Sequence, residues 1–254
     1  MQVQDRQSQD ERIEALQRQV AELTAANLLL KEELERKEQS TAMIAHELAG
    51  PLTPIISYAQ MVARPNQREE LIQRGTNIII SQARRLDRLV HDLLDVSRLS
   101  SGRFSLVRKP CDIAALTKEM VEQLRPLAPY HQFQLDIPDT PVIGNWDSGR
   151  LQQAIGNLLD NAIKYSDPHT LITVCISTNK DVAHFSVHNL GVSIPAGDVA
   201  QLFRPFVRLK GASGREGSGL GLYITKCIVE AHGGVLEPPT AEEQGTTFSF
   251  DLPF

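Results

Sequence analysis

The sequence predicts an α-helical first part followed by an α+β second part. We expect a parallel coiled coil, an antiparallel helical hairpin that forms a dimeric four-helix bundle, and a two-layer α/β sandwich. Residues 11–41 lack Pro and Gly and carry a heptad pattern, and residues 68–101 repeat apolar side chains at helical spacing. After Gly102, strand-like segments alternate with helical ones. The predicted domains are residues 1–39, 40–103 and 104–254.

Composition limits the class of protein. With 254 residues, 41% of them hydrophobic, the chain is long enough for two modest domains and an accessory segment. The net charge is −5 and the basic residues are scattered among acids, so we expect no nucleic-acid partner. The longest apolar runs fall far short of the roughly 20 residues that span a membrane. Three widely spaced cysteines, Cys111, Cys175 and Cys227, are predicted to be reduced thiols.

The heptad pattern near the N-terminus predicts a coiled coil. β-branched residues at position a with Leu at position d favour two parallel strands, and the single Asn27 at position a fixes their register. An amphipathic helix packed on its own domain is the alternative. Continued without a break, the frame puts His46 at an exposed f position. The a positions are Ile13, Val20, Asn27, Leu34 and Thr41, and the d positions are Leu16, Leu23, Leu30 and Lys37.

Two long helices follow each other in the second predicted domain. The helix that contains His46 is expected to continue to about Val62, residues 63–67 form a turn, and the next helix covers residues 68–101. One such hairpin cannot bury its apolar stripe, whereas two copies form a four-helix bundle. The sequence therefore predicts a homodimer.

The last 150 or so residues predict the α/β sandwich. Asp112 and Asp147 are expected to cap helices, and Gly233 to end one. The predicted strands are residues 104–107, 132–137, 171–177, 183–187 and 246–252. The predicted helices are residues 112–124, 147–164 and 220–231.

The bundle sequence contains a candidate nucleophile, His46, in the heptapeptide His-Glu-Leu-Ala-Gly-Pro-Leu. A nucleophilic histidine needs an acidic neighbour that orients it and takes its proton. Glu47 is that neighbour.

A second group of polar residues lies on one predicted helix. Asn157, Asn161 and Lys164 have the i, i+4, i+7 spacing of one helix face. Amide oxygens are hard ligands that suit Mg²⁺, and a lysine pairs with anionic oxygens. An ordinary solvated helix face is the alternative interpretation.

A glycine-rich segment, Gly-Ser-Gly-Leu-Gly-Leu at residues 217–222, runs into the last predicted helix. Glycines at a helix N-terminus form an anion site. A polar loop precedes them instead of a strand, which argues against a Rossmann fingerprint, and the sequence has no Gly-Lys-Ser/Thr of a P-loop. A flexible loop is the alternative.

Together and in this order, these segments resemble the phosphoacceptor, N and G2 boxes of two-component sensor histidine kinases, which combine a HisKA-type bundle with a GHKL-type ATP-binding domain. The resemblance implies that His46 attacks ATP, with Glu47 as general base and Mg²⁺ at Asn161. The phosphate then passes to an aspartate on the receiver domain of a response regulator. The implied nucleotide-binding residues are Asn157, Asn161, Lys164, Tyr165, Asn189, Gly191, Ser193, Arg208, Gly217, Gly219, Leu220, Gly221 and Thr247.

The sequence departs from the family pattern in two places. In the G1 box, Asn189 replaces an aspartate that accepts a hydrogen bond from adenine, and Ser193 replaces a glycine, placing a Cβ where the backbone is expected at φ > 0. After the histidine, Ala49 and Gly50 replace the basic residue and the Thr or Asn that positions a hydrolytic water. We therefore expect weak phosphatase activity.

Two other functions stay open at this point. A GHKL-type ATPase shares the nucleotide boxes but has no use for His46, and a degenerate dimeric scaffold, or pseudokinase, is favoured by Asn189 and Ser193. No signal peptide is visible in the polar first ten residues. We expect a cytoplasmic protein, or the cytosolic portion of a longer sensor.

Overall fold

A computed structural model describes residues 2–100, 104–195, 197–207, 217–242 and 245–254. The chain divides into two compact units, Met1–Ala83 and Arg84–Phe254. The division falls inside the second long helix, so that helix contributes to both units.

The first unit is built from two helices. Helix α1 (Gln2–Val62) is continuous through the predicted coil and the predicted acceptor segment, and α2 (Glu69–Ser100) begins after a short turn. The buried Gly75 lets the helices approach closely, because a Cβ there would lie 2.8 Å from Cγ2 of Val62. The predicted hairpin is therefore confirmed.

The apolar stripe of the predicted coil is exposed on the single chain. Val20, Leu23, Leu30 and Leu34 are each about three-fifths exposed, at 61%, 59%, 63% and 59%. Large aliphatic side chains in a regular row on one helix are the pattern that a second helix covers in a coiled coil.

The second unit contains two sheets and the helices that pack on them. Its elements are β1 (Lys109–Asp112), α3 (Ile113–Leu124), a 3-10 turn (Arg125–Leu127), β2 (Gln132–Asp136), β3 (Ile143–Trp146), α4 (Ser148–Tyr165), β4 (Leu171–Thr178), β5 (Val182–Asn189), α5 (Val199–Leu202), α6 (Gly221–Ala231), β6 (Val235–Leu236), β7 (Thr240–Glu242) and β8 (Gly245–Pro253). β1 and β3 form a small antiparallel pair, whereas the larger mixed sheet has the order β2-β4-β5-β8-β6, with β7 also pairing with β8. Only β2 and β4 are parallel among the described pairs.

The core lies between one face of the large sheet and helices α3, α4 and α6. Alternate residues of β5 and β8 face it, so Phe185 and Phe250 stack with ring centroids 4.8 Å apart. The indole of Trp146 donates to the carbonyl of Pro253 at 2.9 Å and joins the small sheet to the large one. The predicted two-layer α/β sandwich is confirmed.

The predicted helix ends are confirmed at atomic detail. The carboxylate of Asp112 accepts from the amide of Ala114 at 3.0 Å, and that of Asp147 accepts from the amide of Arg150 at 3.1 Å. Gly233, at φ +82°, follows the end of α6 in the left-handed conformation that glycine adopts without steric cost.

The strand predicted at residues 104–107 is wrong. This segment is not a strand, and the ladder begins later, with β1 paired to β3. The segment instead packs on the first turn of α4: the amide of Val107 donates to Asp147 at 2.8 Å, and the guanidinium of Arg150 lies 4.9 Å from the ring centre of Phe104. The segment therefore packs against the N-terminal end of α4 instead of pairing in a sheet.

The three cysteines are free, as predicted. None of the helices in the described residues combines the length and the apolarity that crossing a bilayer requires.

Candidate functional site

The predicted acceptor segment is an accessible surface of α1. His46 is exposed and Glu47 is half-buried beside it. Gly50 lies one turn further along the helix, and a Cβ there would have nothing within 4 Å. A second macromolecule can reach this segment without moving neighbouring side chains of its own unit.

The polar face of α4 holds the first residues of α6. The side-chain amide of Asn157 donates to the carbonyl of Gly221 at 3.1 Å. One turn later, Asn161 is half-buried, and the ammonium of Lys164 pairs with the carboxylate of Asp160 on the same helix. The predicted trio shares one face of α4, and its lysine already has an anionic partner.

The glycine-rich segment is held by backbone contacts. Gly219 has φ +69°, and a Cβ there would lie 2.9 Å from both the carbonyl carbon of Phe206 and the carbonyl oxygen of Val207. The amide of Phe206 donates to the carbonyl of Gly219 at 3.0 Å. Only glycine fits this position.

The other glycine-box residues lead into α6. Leu220 is fully buried and precedes the helix, while a Cβ at Gly217 would meet no atom of the described residues within 4 Å. A Cβ at Gly221 would make ordinary contact with Asn157, at 3.4 Å from Cγ. Arg208, another predicted nucleotide ligand, lies outside the described residues.

The end of α4 is pressed against the loop that follows β5. A Cβ at Gly191 would lie only 2.1 Å from the carbonyl oxygen of Tyr165, the last residue of α4. Ser166 forms an isolated bridge with Gly191, and the amide of Asp167 donates to the carbonyl of Leu190 at 2.9 Å. These contacts hold the loop after β5, which carries the G1 box, against the end of α4, the helix that carries the N box.

Asn189 ends β5 on the face that the helices cover. It is 2% exposed and continues the buried row of Phe185 and Val187. Its amide nitrogen, Nδ2, has no hydrogen-bond partner in the described part of the chain. Thr246, 3% exposed, is its neighbour across the ladder, and the Thr246 hydroxyl donates to the carbonyl of Val192 at 3.4 Å. The described part of the site thus contains a buried donor without an acceptor.

Two predicted residues are placed differently from what the sequence suggested. Thr247 lies on β8 and faces the side of the sheet opposite to Asn189, where its hydroxyl is 2.9 Å from Nδ1 of His188. Thr246 is the residue beside Asn189, and its alternation with the buried Phe248 would have identified it. Ser193 is exposed and does not have a positive φ, so the expectation of a left-handed backbone there is wrong.

The residues around α4 suit a cation that is bound largely by phosphate and water. Asn161 presents a half-buried side-chain amide, and no group of three or more His, Cys, Asp or Glu within the described ranges forms a metal cage. Mg²⁺ characteristically keeps several waters and takes few protein ligands together with substrate phosphates. The donor set therefore fits Mg²⁺ that arrives with a nucleotide.

An ion-pair cluster that the sequence did not reveal joins the end of α2 to the start of α4, within the second unit. Arg150 donates to the carboxylate of Asp95 at 2.7 Å and to the side chain of Gln153 at 2.9 Å, and Gln153 donates to Asp95 at 2.9 Å. Asp95 is 5% exposed. Burial, and next the charge of Asp95, raises the pKa of nearby Asp92 to about 6. The cluster holds the N-box helix at its first turn.

A buried histidine ties the two ends of the helical layer together. The amide of Asp147 donates to Nε2 of His232 at 2.9 Å, so the ring proton lies on Nδ1, which donates to the carbonyl of Ile228 at 2.8 Å. Burial lowers the pKa of His232. This histidine is therefore a neutral structural residue that joins the N-cap of α4 to the end of α6.

Comparison with known families gives one match for the region of His46 and one for the region of α4. Residues 36–102 match the family described as "His Kinase A (phospho-acceptor) domain". Residues 146–254 match "Histidine kinase-, DNA gyrase B-, and HSP90-like ATPase". The two matches cover the segments that carry His46 and the polar face of α4.

Individual relatives point the same way. The probable sensor histidine kinase TcrY of Mycobacterium tuberculosis is 34% identical over 217 residues, which are 85% of this chain and 45% of TcrY. The fold is similar to that of Acinetobacter baumannii AdeS (TM-score 0.63, 23% identity, 82% of this chain and 97% of that one). It is also similar to full-length ShkA solved with AMPPNP (TM-score 0.62, 26% identity, 85% and 46%).

The chain spans less than half the length of these curated relatives that it matches. In this chain, the segment that matches the phosphoacceptor family precedes the segment that matches the ATPase family. The chain belongs to the sensor histidine kinases of two-component systems.

Proposed function

We propose that this chain is an ATP-dependent protein-histidine kinase that phosphorylates its own His46. The observation that carries the proposal is an exposed histidine followed by an acid inside the matched phosphoacceptor segment. The exposure is needed because the γ-phosphorus must come within about 3–3.5 Å of the attacking nitrogen. ShkA was solved with AMPPNP, an ATP analogue, which supports the same nucleotide here.

The reaction is an in-line displacement on the γ-phosphate. A nitrogen of His46 forms a bond to the γ-phosphorus while the bond to the β,γ-bridging oxygen breaks and ADP leaves. Glu47 orients the imidazole and accepts its proton, as a general base within reach of the adjacent side chain. Mg²⁺ held by Asn161 and the phosphates would neutralise the charge that develops on the leaving oxygen.

The nucleotide is bound by residues from three segments. Asn157 and Lys164 on α4 face the phosphates, and the amides at the start of α6 add an anion site that follows Gly219. At the other end of the nucleotide, Gly191 and Asn189 receive the base, because the backbone that follows β5 lies close enough to the end of α4 to form one side of the pocket. Tyr165, Ser193, Arg208, Gly217, Leu220 and Gly221 stay predictions of nucleotide contact, and Thr246 replaces Thr247 among them because it is the residue beside Asn189.

The phosphate then passes from His46 to an aspartate of a response-regulator receiver domain. We further propose a homodimer, supported by the exposed stripe that contains Leu23 and Leu30. The working boundaries are residues 1–39 for the coil, 40–103 for the phosphotransfer domain and 104–254 for the catalytic domain. Because the reaction consumes ATP, we place it in the cytoplasm.

The test uses γ-labelled ATP and the stability of the label. The full chain should acquire label that is lost in acid and retained in alkali, as phosphohistidine is, and His46→Gln should acquire none. His91→Gln is the matched control, because His91 is also exposed on a bundle helix and is followed by an acid, Asp92. It should label like the unmodified protein.

The outcomes separate the alternatives. Free phosphate without labelled protein would indicate an ATPase, and neither product would indicate a scaffold. Acid-labile label that persists in His46→Gln would show that another residue is the acceptor. The match to the phosphoacceptor family already disfavours the ATPase, which has no use for His46.

A further inference from the structure

Asn189 carries a hydrogen-bond donor that has no acceptor among the described residues. The residue is 2% exposed and its Nδ2 is unpaired within the described part of the chain. A buried donor without a partner is destabilising, and folded proteins rarely retain one. A ligand acceptor at this position would remove the cost.

The surrounding backbone leaves little freedom for Asn189 to find a partner by moving. Its main chain pairs with Ile172 on one side and Thr246 on the other. A Cβ at Gly245 would lie 2.3 Å from the carbonyl oxygen of Asn189, and Gly191 is equally confined against Tyr165. The side chain can rotate its amide but cannot leave the end of β5.

The chemistry of an amide differs from that of a carboxylate at this place. Adenine presents an amino donor beside the ring acceptor N1, whereas guanine presents the carbonyl acceptor O6 beside an N1–H donor. A side-chain amide has a donor group, its NH2, beside an acceptor group, its carbonyl oxygen, so either base is matched by one of two orientations related by a 180° rotation. A carboxylate has acceptors only, and it would face O6 of guanine with like partial charge.

From this geometry we infer that the base pocket accepts a 6-oxopurine as well as adenine, with Asn189 as the residue that determines this tolerance. The inference rests on the proposed function, which puts the purine at Asn189, and it deepens that function by naming the substrate class. GTP would then serve as a phosphoryl donor to His46 alongside ATP.

The experiment compares nucleotides on the full chain. Calorimetric titration with ATP, GTP and inosine triphosphate in Mg²⁺ should give dissociation constants within about tenfold of each other. Inosine triphosphate has O6 and N1–H but no 2-amino group, so it tests the edge that faces Asn189 separately from any clash of the amino group. Labelling of His46 with γ-labelled GTP should accompany binding.

The substitution Asn189→Asp should restore selectivity. It should weaken GTP and inosine triphosphate at least about tenfold relative to ATP. The matched control is Asn179→Asp, the same change in charge at an exposed turn, where the side-chain oxygen accepts from the amides of Asp181 and Val182 and a carboxylate can do the same. It should leave the ratios unchanged.

The outcomes distinguish this inference from the proposed function. If ATP labels His46 but the unmodified protein rejects both 6-oxopurines more than about a hundredfold, the inference is overturned and the kinase stands. An Asn189→Asp protein with the wild-type ratios would also overturn it. If neither nucleotide binds nor labels the protein, the proposed function fails and the inference fails with it.

Discussion

Two glycines show how differently the acceptor segment and the nucleotide site are built. A Cβ added to Gly50, one turn after His46, meets nothing within 4 Å. A Cβ added to Gly191, beside the N-box helix, lies 2.1 Å from the carbonyl oxygen of Tyr165. The first position is the open surface of one helix, whereas the second is a contact between backbones that are distant in sequence.

The difference follows from what each region has to bind. Under the proposed function, the acceptor presents one imidazole to two large partners in turn, a nucleotide-loaded domain and a receiver, so its surroundings have to stay open. The nucleotide site has to hold one small molecule in one pose, so it needs walls that do not move. Substitutions near His46 should therefore alter chemistry and leave the fold intact, whereas substitutions near Asn189 should alter both.

The largest effect that we expect is that of Gly191→Ala. The added methyl group forces the G1-box loop away from α4, which should lower the free energy of unfolding by about 3 kcal/mol and abolish nucleotide binding. Urea denaturation and ATP titration measure the two effects. Gly197→Ala is the control from the same loop, because a Cβ there meets nothing within 4 Å. Equal stability of the two variants would contradict the crowding seen at Gly191.

The second prediction concerns the anchor of α4. Asp95→Ala leaves Arg150 without its carboxylate, and because the Arg150 side chain is 23% exposed we discount the usual cost of a broken buried pair to about 2 kcal/mol. Asp160→Ala removes the exposed pair with Lys164 on the same helix and should cost at most about 0.5 kcal/mol. Thermal denaturation of both variants decides. Similar costs would mean that Asp95 contributes no more than a surface charge.

The same contrast explains what the sequence could predict. Local signals predicted both long helices, the caps Asp112 and Asp147 and the helix end at Gly233, because each depends on neighbours within a few residues. The exposure of His46 also followed from a local heptad frame.

Contacts between distant segments were not predictable in this way. The pair Asp95–Arg150 joins residues 55 positions apart, and nothing in either helix indicates the other. Strands β1 and β3 are four residues each, too short for an alternation pattern, and β1 was displaced to residues 104–107 in the prediction. Alternation along β8 indicates that Thr246 and not Thr247 shares the buried face, but its position opposite Asn189 depends on the register of β8 against β5, which no local signal gives.

The third prediction is a pH effect on the sandwich. His232 has a lowered pKa in the folded state, so below its ordinary value of 6.5 the unfolded chain takes up the proton first and stability is lost as pH falls. Asp92 has the opposite sign: its pKa is raised to about 6, so its contribution improves as pH falls through that value. The two effects must be separated by substitution.

His232→Gln removes the titrating ring. We compare the melting temperatures of this variant and the unmodified protein between pH 7.5 and 5. The higher stability of the unmodified protein should be lost as the pH is lowered through 6.5. The difference between the two proteins cancels the contribution of Asp92. A difference that does not change with pH would mean that His232 titrates alike in the folded and unfolded states.

The smallest effect on stability is expected at Gly50, on the open helix surface beside His46. Gly50→Ala should be neutral to stabilising, by at most about 1 kcal/mol, because alanine favours the helix and its Cβ meets no atom. Autophosphorylation should be unchanged.

Gly50→Thr tests the chemistry of the same open position, since its hydroxyl can orient a water against the phosphoaspartate of a bound regulator. The variant should release phosphate from the regulator faster than the unmodified protein does. Gly50→Val has the same shape and the same β-branch in the helix without the hydroxyl, so it should remain slow. Loss of label from the phosphorylated regulator measures all three proteins, and a valine variant as fast as the threonine variant would mean that side-chain bulk at this position, and not water orientation, limits the reaction.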